Sequence, residues 1–420
     1  MRTTRSERWG LLELADAGVA VLDCEHKTPP DAGYGHPYIA IPNLVDGTLV
    51  LTNVRRITAE DLRAWTRRTR PRAGDIIVTR RARVGDTAVV PDGLDCAIGQ
   101  NLVILRSDGR DVDQCFLRYA TRGPLWGSEV NRLRNVGAVF DSLNVRDIAR
   151  IRIPIPRLAD QRAIAAVLGA FDDKIDSNRR LAALLEQAAA ELFRARFVDF
   201  VGVEEFEDSE IGRIPRGWQV GRLTDFVEQL RERGSANAPY IGLDDMPRGS
   251  TVLTAWKHEG APTGQSVRFQ RGDILFGKLR PYFKKVGVAS LDGRCSAEIV
   301  VLRPRGPESF GFSIGHLTSA RFFEHCEAVS TGTRMPRAEW KLAGELAVGY
   351  PAATELAEFN ALVATTYDAI LGLTHENHTL AAIRDALLPK LISGAIRVTS
   401  TSDPVEATET AREQVAATKR

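Results

Sequence analysis

The chain has 420 residues, 44% apolar and 26% charged, with a formal net charge of +2, the composition of a globular protein of two or three domains. No apolar stretch approaches the roughly 18 residues of a membrane helix, and MRTTRSERWG at the N-terminus leads into no apolar signal core. Five cysteines without a CxxC pair or an even framework read as reduced thiols of a cytoplasmic protein.

In chain order, the first half reads as a mixed α/β domain. Short β-branched runs (PYIAI, GDIIVT, LVILR) alternate with turn-rich pieces such as PDAGYGHP and PDGLD. Residues 52–85 carry ten arginines (55, 56, 63, 67, 68, 70, 72, 80, 81, 83) against Glu60, Asp61 and Asp75. Prolines in IRIPIPRL (151–158) forbid helix until Ala159. From there to Phe197 no proline occurs, which predicts one helix of about 38 residues, roughly 57 Å long. An acidic linker, VGVEEFEDSEIGRIPRGW (201–218), marks the boundary between halves. A second α/β domain closes at Tyr350-Pro351, and a second helix is predicted from Glu355 towards Pro389, with Gly394 just beyond its end. The tail 399–420, rich in Thr, Ala and Glu, lacks apolar periodicity and is expected to be disordered.

The second half repeats the first. HPYIAIPNL (36–44) answers APYIGLDDM (238–246), AGDIIVTRRARVG (73–85) answers RGDILFGKLRPYFKKVG (271–287), and CAIGQNLVILR (96–106) answers CSAEIVVLR (295–303). LAALLEQAAAELF (181–193) likewise answers LAAIRDALLPKL (380–391). A period of roughly 200 residues is a duplicated domain with its helix, not a solenoid unit. The same place is basic in both copies, since residues 268–285 carry Arg268, Arg271, Lys278, Arg280, Lys284 and Lys285 against Asp273 alone. With Trp65, Tyr282 and Phe283 interleaved, this recurrence favours a polyanionic partner over a merely solvated face.

Alternating steps of four and three give a coiled-coil seam in each helix. One stripe runs Ile164, Leu168, Phe171, Ile175, Asn178, Ala182, Leu185, Ala189, Leu192. The other runs Phe359, Val363, Thr366, Ile370, Leu373, Asn377, Leu380, Arg384, Leu387, Leu391. Packed antiparallel, Asn178 would meet Asn377 and fix register; two unrelated exposed asparagines are the plainer alternative. Arg384 and Pro389 weaken the far end of the second stripe.

Several motif-like segments carry no chemistry. GDILFGK (272–278) fits GxxxxGK, but Leu279 stands where Ser or Thr must hold magnesium. HENH (375–378) is not HExxH, and Cys24 with His26 lacks two further zinc ligands. No GxSxG or GxGxxG element is present, so the sequence favours a binding protein over an enzyme.

The chain resembles specificity subunits of Type I restriction–modification systems over essentially residues 10–398. The residues that carry the resemblance are DCEHKTPP (23–30), GDIIVTRRARVG, GAVFDSLNVRDIARIRIPIPRLADQRAIAAVLGAFDDKIDSNRRL (137–181), FRARFVDF (193–200), SEIGRIPRGWQVGRL (209–223) and IRDALLPKLISGAIRV (383–398). The resemblance implies an α+β fold in which two mixed α/β target-recognition domains are joined by two long antiparallel helices forming a coiled coil, a pseudo-two-fold internal repeat. Its parts would be domain 1 at 1–157, the central helix at 158–200, the linker at 201–218, domain 2 at 219–351 and the distal helix at 352–398. Each domain would read one part of an asymmetric, two-part target in double-stranded DNA with a non-specific spacer. Two modification subunits using S-adenosylmethionine, and restriction subunits using ATP and magnesium, would dock on the helices; this chain itself would hold no cofactor or metal and be non-catalytic. The second half departs from the first: Glu355-Leu356 stands where Asp160-Gln161 does, and TRMPRAE (333–339) replaces FDSLN (140–144).

For DNA contact the candidates are Arg80, Arg81 and Arg83 after the strand IIVT, and Lys278, Arg280, Lys284 and Lys285 at the matching place. Gln100 and Asn101, before LVILR, could read adenine, and Arg334 lies in the loop STGTR. For each, a phosphate contact or a plain surface role stands beside base reading. A coiled-coil scaffold that reads no sequence is the competing function, and salt-dependent binding to duplex DNA separates the two.

Overall fold

The computed structural model describes residues 9–137, 141–258, 262 and 264–398. The tail 399–420 and Phe140 of the FDSLN segment lie outside them. The chain forms two compact units, one of residues 1–173 with 381–420 and the other of residues 174–380. Each unit thus includes part of both long helices.

In the first unit a four-stranded antiparallel sheet runs in the order Val19–Asp23, Leu102–Ser107, Ile76–Thr79, Thr87–Val89. The strand Ile76–Thr79 is buried along its whole length, which is why it reads as a continuous apolar run rather than an alternating one. Its entry turn is fixed by Asp75, 2% exposed, which accepts the Arg72 N–H at 2.8 Å and both arms of Arg106 at 2.8 and 2.6 Å. A buried carboxylate is tolerable when a bidentate guanidinium and a backbone donor satisfy it. The second unit repeats the order with Val227–Leu230, Ile299–Pro304, Ile274–Gly277 and Val286–Val288. It also repeats the turn: Asp273 accepts the Gln270 N–H at 2.7 Å and Arg303 at 2.7 and 2.8 Å.

The units part ways in a smaller sheet. Both contain a parallel pair, Tyr38↔Ala97 in the first and Tyr240↔Arg294 in the second. The third strand then pairs with opposite partners: Arg55–Ile57 joins His36–Ile39, whereas Ser266–Phe269 joins Gly293–Ser296. The linker expected over 201–218 is not irregular throughout, because Phe206–Ser209 and Gly212–Pro215 form a hairpin around Gly212, whose φ is +99°.

The long helices are Leu158–Phe197 and Ala353–Ile392, 40 residues each and so about 60 Å long. They pack antiparallel: within the first unit Asp172 meets Arg384 at 2.6 Å, and within the second Arg196 meets Glu355 at 3.6 Å. The second helix does not stop at Pro389 but runs to Ile392. Proline there removes one N–H donor, while burial of Leu387, Leu388, Leu391 and Ile392 to between 0% and 6% holds the last turn. Gly394 then ends the helix at φ +75°, where an added Cβ would lie 2.8 Å from the Trp9 ring.

The seam departs from its strict spacing at several places. Leu192 is 43% exposed, and Phe193 and Phe197 are buried instead; Tyr367 rather than Thr366 is buried in the partner helix. A straight helix drifts by about 20° per heptad, and the second unit supplies aromatic rings for the drifted face: Phe193 lies 4.8 Å from His316, and Phe197 lies 5.2 Å from Phe312. Arg384, which breaks the apolar stripe, is satisfied by Asp172.

Candidate nucleic-acid interface

The sheet order brings the candidate residues to one edge of each unit. Pairing of Leu102 with Thr79 and of Val103 with Asp23 sets three chain segments side by side where those strands begin or end. The Arg80 N–H donates to Asn101 O at 2.8 Å, and the Leu143 N–H donates to Arg80 O at 2.9 Å. In the second unit Lys278 N donates to Glu298 O at 3.1 Å and Ala338 N to Lys278 O at 3.0 Å. Arg80 and Lys278, Asn101 and Glu298, and Leu143 and Ala338 are therefore structural equivalents. The segments around Leu143 (141–144) and Ala338 (333–339), unlike in sequence, occupy the same place.

At this edge in the first unit the side chains divide into fixed and free. Arg80 is held by Leu143 O at 3.2 Å and by Asp23 at 3.7 Å. Arg83 donates to Leu44 O at 2.8 Å and to Ile41 O, and its Nε lies 3.3 Å from Asp86. Burial pushes the Asp86 carboxyl up from its usual range, against the pull of Arg83. Arg81 and Gln100 are exposed, Asn101 is half-buried, and none of the three side chains bonds to another described residue. The loop reverses tightly at Gly85, φ +88°, where a Cβ would lie 2.8 Å from Val130.

The second unit divides the same way. Lys278 pairs with Glu339 at 3.2 Å, and Lys285 donates to Leu243 O, where burial pulls its ammonium below the usual lysine range. Glu298 is clamped by Arg337 at 3.0 Å, and that hydrogen bond holds its carboxyl below the usual range. Arg334 and Lys284 are exposed; Arg280 is half-buried, and its Nε has no hydrogen-bond partner among the described residues. The Gln100-Asn101 pair, a sequence candidate for reading adenine, thus has no counterpart, since the place of Asn101 is taken by a carboxylate already engaged.

Part of the long arginine run of the first half is engaged with backbone. Arg55 donates to Pro29 O at 2.8 Å, Arg56 to Gly35 O at 3.1 Å and Arg68 to Cys24 O at 3.2 Å. Such bonds fix loops without cancelling charge, so the edge stays cationic. Among the described residues only Arg70, bound to Asp95 at 2.8 Å, is neutralised outright within the 55–72 stretch. Sequence reasoning missed Arg248, whose guanidinium sits 3.8 Å above the Phe283 ring. No local pattern marks it, because the contact is made by tertiary packing.

Between the helices, within the second unit, Asn178 is 2% exposed and donates to Asn377 Oδ1 at 3.0 Å and to Glu376 at 2.9 Å. His378 of the HENH segment stacks on Trp256 at 3.5 Å and donates from Nε2 to Thr254 O, 2.9 Å away. The segment GDILFGK is the buried strand Ile274–Gly277 with its entry turn.

Residues 25–187 match the family model of the Type I restriction modification DNA specificity domain. The Type I restriction enzyme MjaIX specificity subunit of Methanocaldococcus jannaschii is 26% identical over 366 residues, 82% of this chain and 82% of that protein. The EcoDI specificity subunit of Escherichia coli is 21% identical over 247 residues, 51% of this chain and 54% of that one. In architecture the chain is similar to the crystal structure of a Type I restriction–modification S subunit from M. genitalium, with a TM-score of 0.52 at 15% identity, covering 93% of this chain and 98% of that one.

Proposed function

We propose that this chain, which is related over most of its length to specificity subunits of Type I restriction–modification enzymes, is the DNA reader of such a complex. The observation that carries the proposal is the repetition of one exposed cationic turn, at the same sheet edge, in both units. Lysines and arginines there neutralise phosphates, while polar side chains without protein partners remain for base edges. Arg81, Gln100 and Asn101 form the first reader; Arg334 serves the second, with Arg280 and Lys284 on its phosphates. Their hydrogen-bonding inventories differ, so the two half-sites differ and the double-stranded target is asymmetric. Arg80, Arg83, Lys278 and Lys285 hold the loops in shape and add positive potential.

The helices dock the other subunits. Leu181, Leu184 and Leu192 on the first helix are 46%, 63% and 43% exposed, an apolar face suited to helices of two modification subunits. Methyl transfer from S-adenosylmethionine, and ATP- and magnesium-dependent cleavage, belong in this reading to the modification and restriction subunits. Among the described residues no helix is long and apolar enough to cross a membrane, and we place the complex in the cytoplasm, where its DNA is.

The test is the methylated motif recovered from cells expressing the chain with its modification subunit. A two-part asymmetric motif is expected. Arg81→Ala should relax one half-site alone, at about 1–3 kcal/mol if Arg81 reads a base; equal weakening on every sequence would make it a phosphate contact. If the full chain bound all duplexes equally and no motif was methylated, the scaffold reading would replace this one.

A further inference from the structure

The turn Arg280-Pro281-Tyr282-Phe283-Lys284 is built unlike its counterpart in the first unit. Two of its residues are left-handed without being glycine: Arg280 at φ +54° and Lys284 at φ +51°. Between them Pro281–Phe283 forms a single 3-10 turn. Residues forced into this region persist only where surroundings over-determine them, and they gather at functional positions. Here the surroundings are backbone hydrogen bonds. Arg280 N donates to Pro336 O at 2.7 Å, Phe283 N to Arg280 O at 2.9 Å, Lys284 N to Pro281 O at 2.8 Å, and Gly249 N to Lys284 O at 3.2 Å. Pro281 is buried, which anchors the base of the turn.

What this rigid turn displays is an aromatic ring. Tyr282 is 46% exposed, and its hydroxyl bonds to no described residue. Its ring stands edge-on to Phe283 at 4.7 Å, and Phe283 is covered on its face by Arg248 at 3.8 Å. Cations cluster in this turn: Arg280 and Lys284 flank Tyr282 in the chain, with the Lys284 ammonium 5.9 Å from the Phe323 ring, and Arg248 covers the neighbouring Phe283. None of the three has a carboxylate partner among the described residues. The counterpart in the first unit, Arg81-Ala82-Arg83, has a left-handed Ala82 at φ +59° but no aromatic residue.

The half-exposed ring leaves one side open to a partner. A flat π-face held among uncompensated cations suits one ligand chemistry, a nucleobase whose neighbouring phosphates the cations hold. We propose that Tyr282 is a stacking wedge, inserting at one base step of the half-site read by the second unit, with Arg248, Arg280 and Lys284 on the flanking phosphates. The inference rests on the DNA-reading function proposed above and deepens it: one half-site is read with local unstacking, the other without.

The test uses the full-length chain and the duplex motif that it enriches from random DNA. 2-Aminopurine is placed in turn at each step of both half-sites. Binding of the unaltered chain should raise fluorescence severalfold at one step of the second half-site and at none of the first. Tyr282→Ala should abolish that rise and weaken binding about tenfold or more, while Tyr282→Phe keeps both signals. The thermal midpoint of Tyr282→Ala should match the parent, since the side chain is exposed. Silence at every step, or Tyr282→Ala binding the motif within twofold of the parent, overturns the wedge and leaves DNA reading intact. Failure of the unaltered chain to enrich any motif overturns both.

Discussion

Asn178 and Gln161 show how single polar residues specify this fold. Gln161, fully buried, ties the start of the first helix to its domain by donating to Asp111 O and Pro156 O and accepting from Asp113 N, each at 2.8 Å. In the second helix the equivalent position is Leu356, and a position-by-position reading finds the tie lost. It has moved one turn onward: Asn360, also fully buried, accepts from Phe312 N at 3.0 Å and donates to Leu356 O and Glu308 O. A turn of about 3.6 residues leaves the side chain on the same face, so the contact survives a change of position that an alignment scores as a loss. Asn178 acts between helices. Its amide is buried, but Asn377 and Glu376, which accept from it, are only half-buried and water can replace it on them. Asn178→Leu should therefore leave the thermal midpoint unchanged or slightly raised. A double-mutant cycle of Asn178→Ala with Asn377→Ala should give a coupling of about 1 kcal/mol. A loss above roughly 3 kcal/mol in Asn178→Leu would show that the pair supports the core itself and not only its register.

At the scale of elements, spacing in the sequence carried most of the helical architecture and little of the loops. The four–three stripe located both helices and faced Asn178 towards Asn377, because a buried seam must repeat. It failed at Leu192, where Phe193 and Phe197 turn inward to rings from a domain far along the chain. Loop side chains were less legible. Arg80, Arg81 and Arg83 look alike as letters, yet carbonyl and carboxylate partners 39 to 63 residues away decide which is free. Leu192 belongs with Leu181 and Leu184 to an outward apolar face that the two-helix seam leaves uncovered. Leu184→Asp should abolish co-purification with the modification subunit, while thermal stability stays within about 0.5 kcal/mol, the usual effect of a surface change. Undiminished co-purification would move the docking face elsewhere on the helices.

For the whole molecule, the repeat was the most legible feature, and its departures matter most. Two sheets of identical strand order come from sequences that keep GDI and the closing arginine of LVILR and IVVLR, because Asp75–Arg106 and Asp273–Arg303 build the same buried turn. The smaller sheets differ in which strand takes the third place, a choice made by long-range pairing that no local pattern reports. Common frames and different edges suit two readers held by one pair of helices, and then helix length should set how far apart the half-sites lie. The boundary between the compact units crosses the first helix after Asp173 and the second before Ala381. Seven residues inserted into both helices there add about 10.5 Å of helix and keep each seam within about 20° of its face. With about 3.4 Å per base pair, the untouched spacer should lengthen by roughly three base pairs while both half-sites keep their sequences. Sequencing of methylated positions in cells carrying the lengthened chain checks this directly. Altered half-sites around an unchanged spacer would mean that the helices do not measure the target, and that spacing is set by the subunits docked on them.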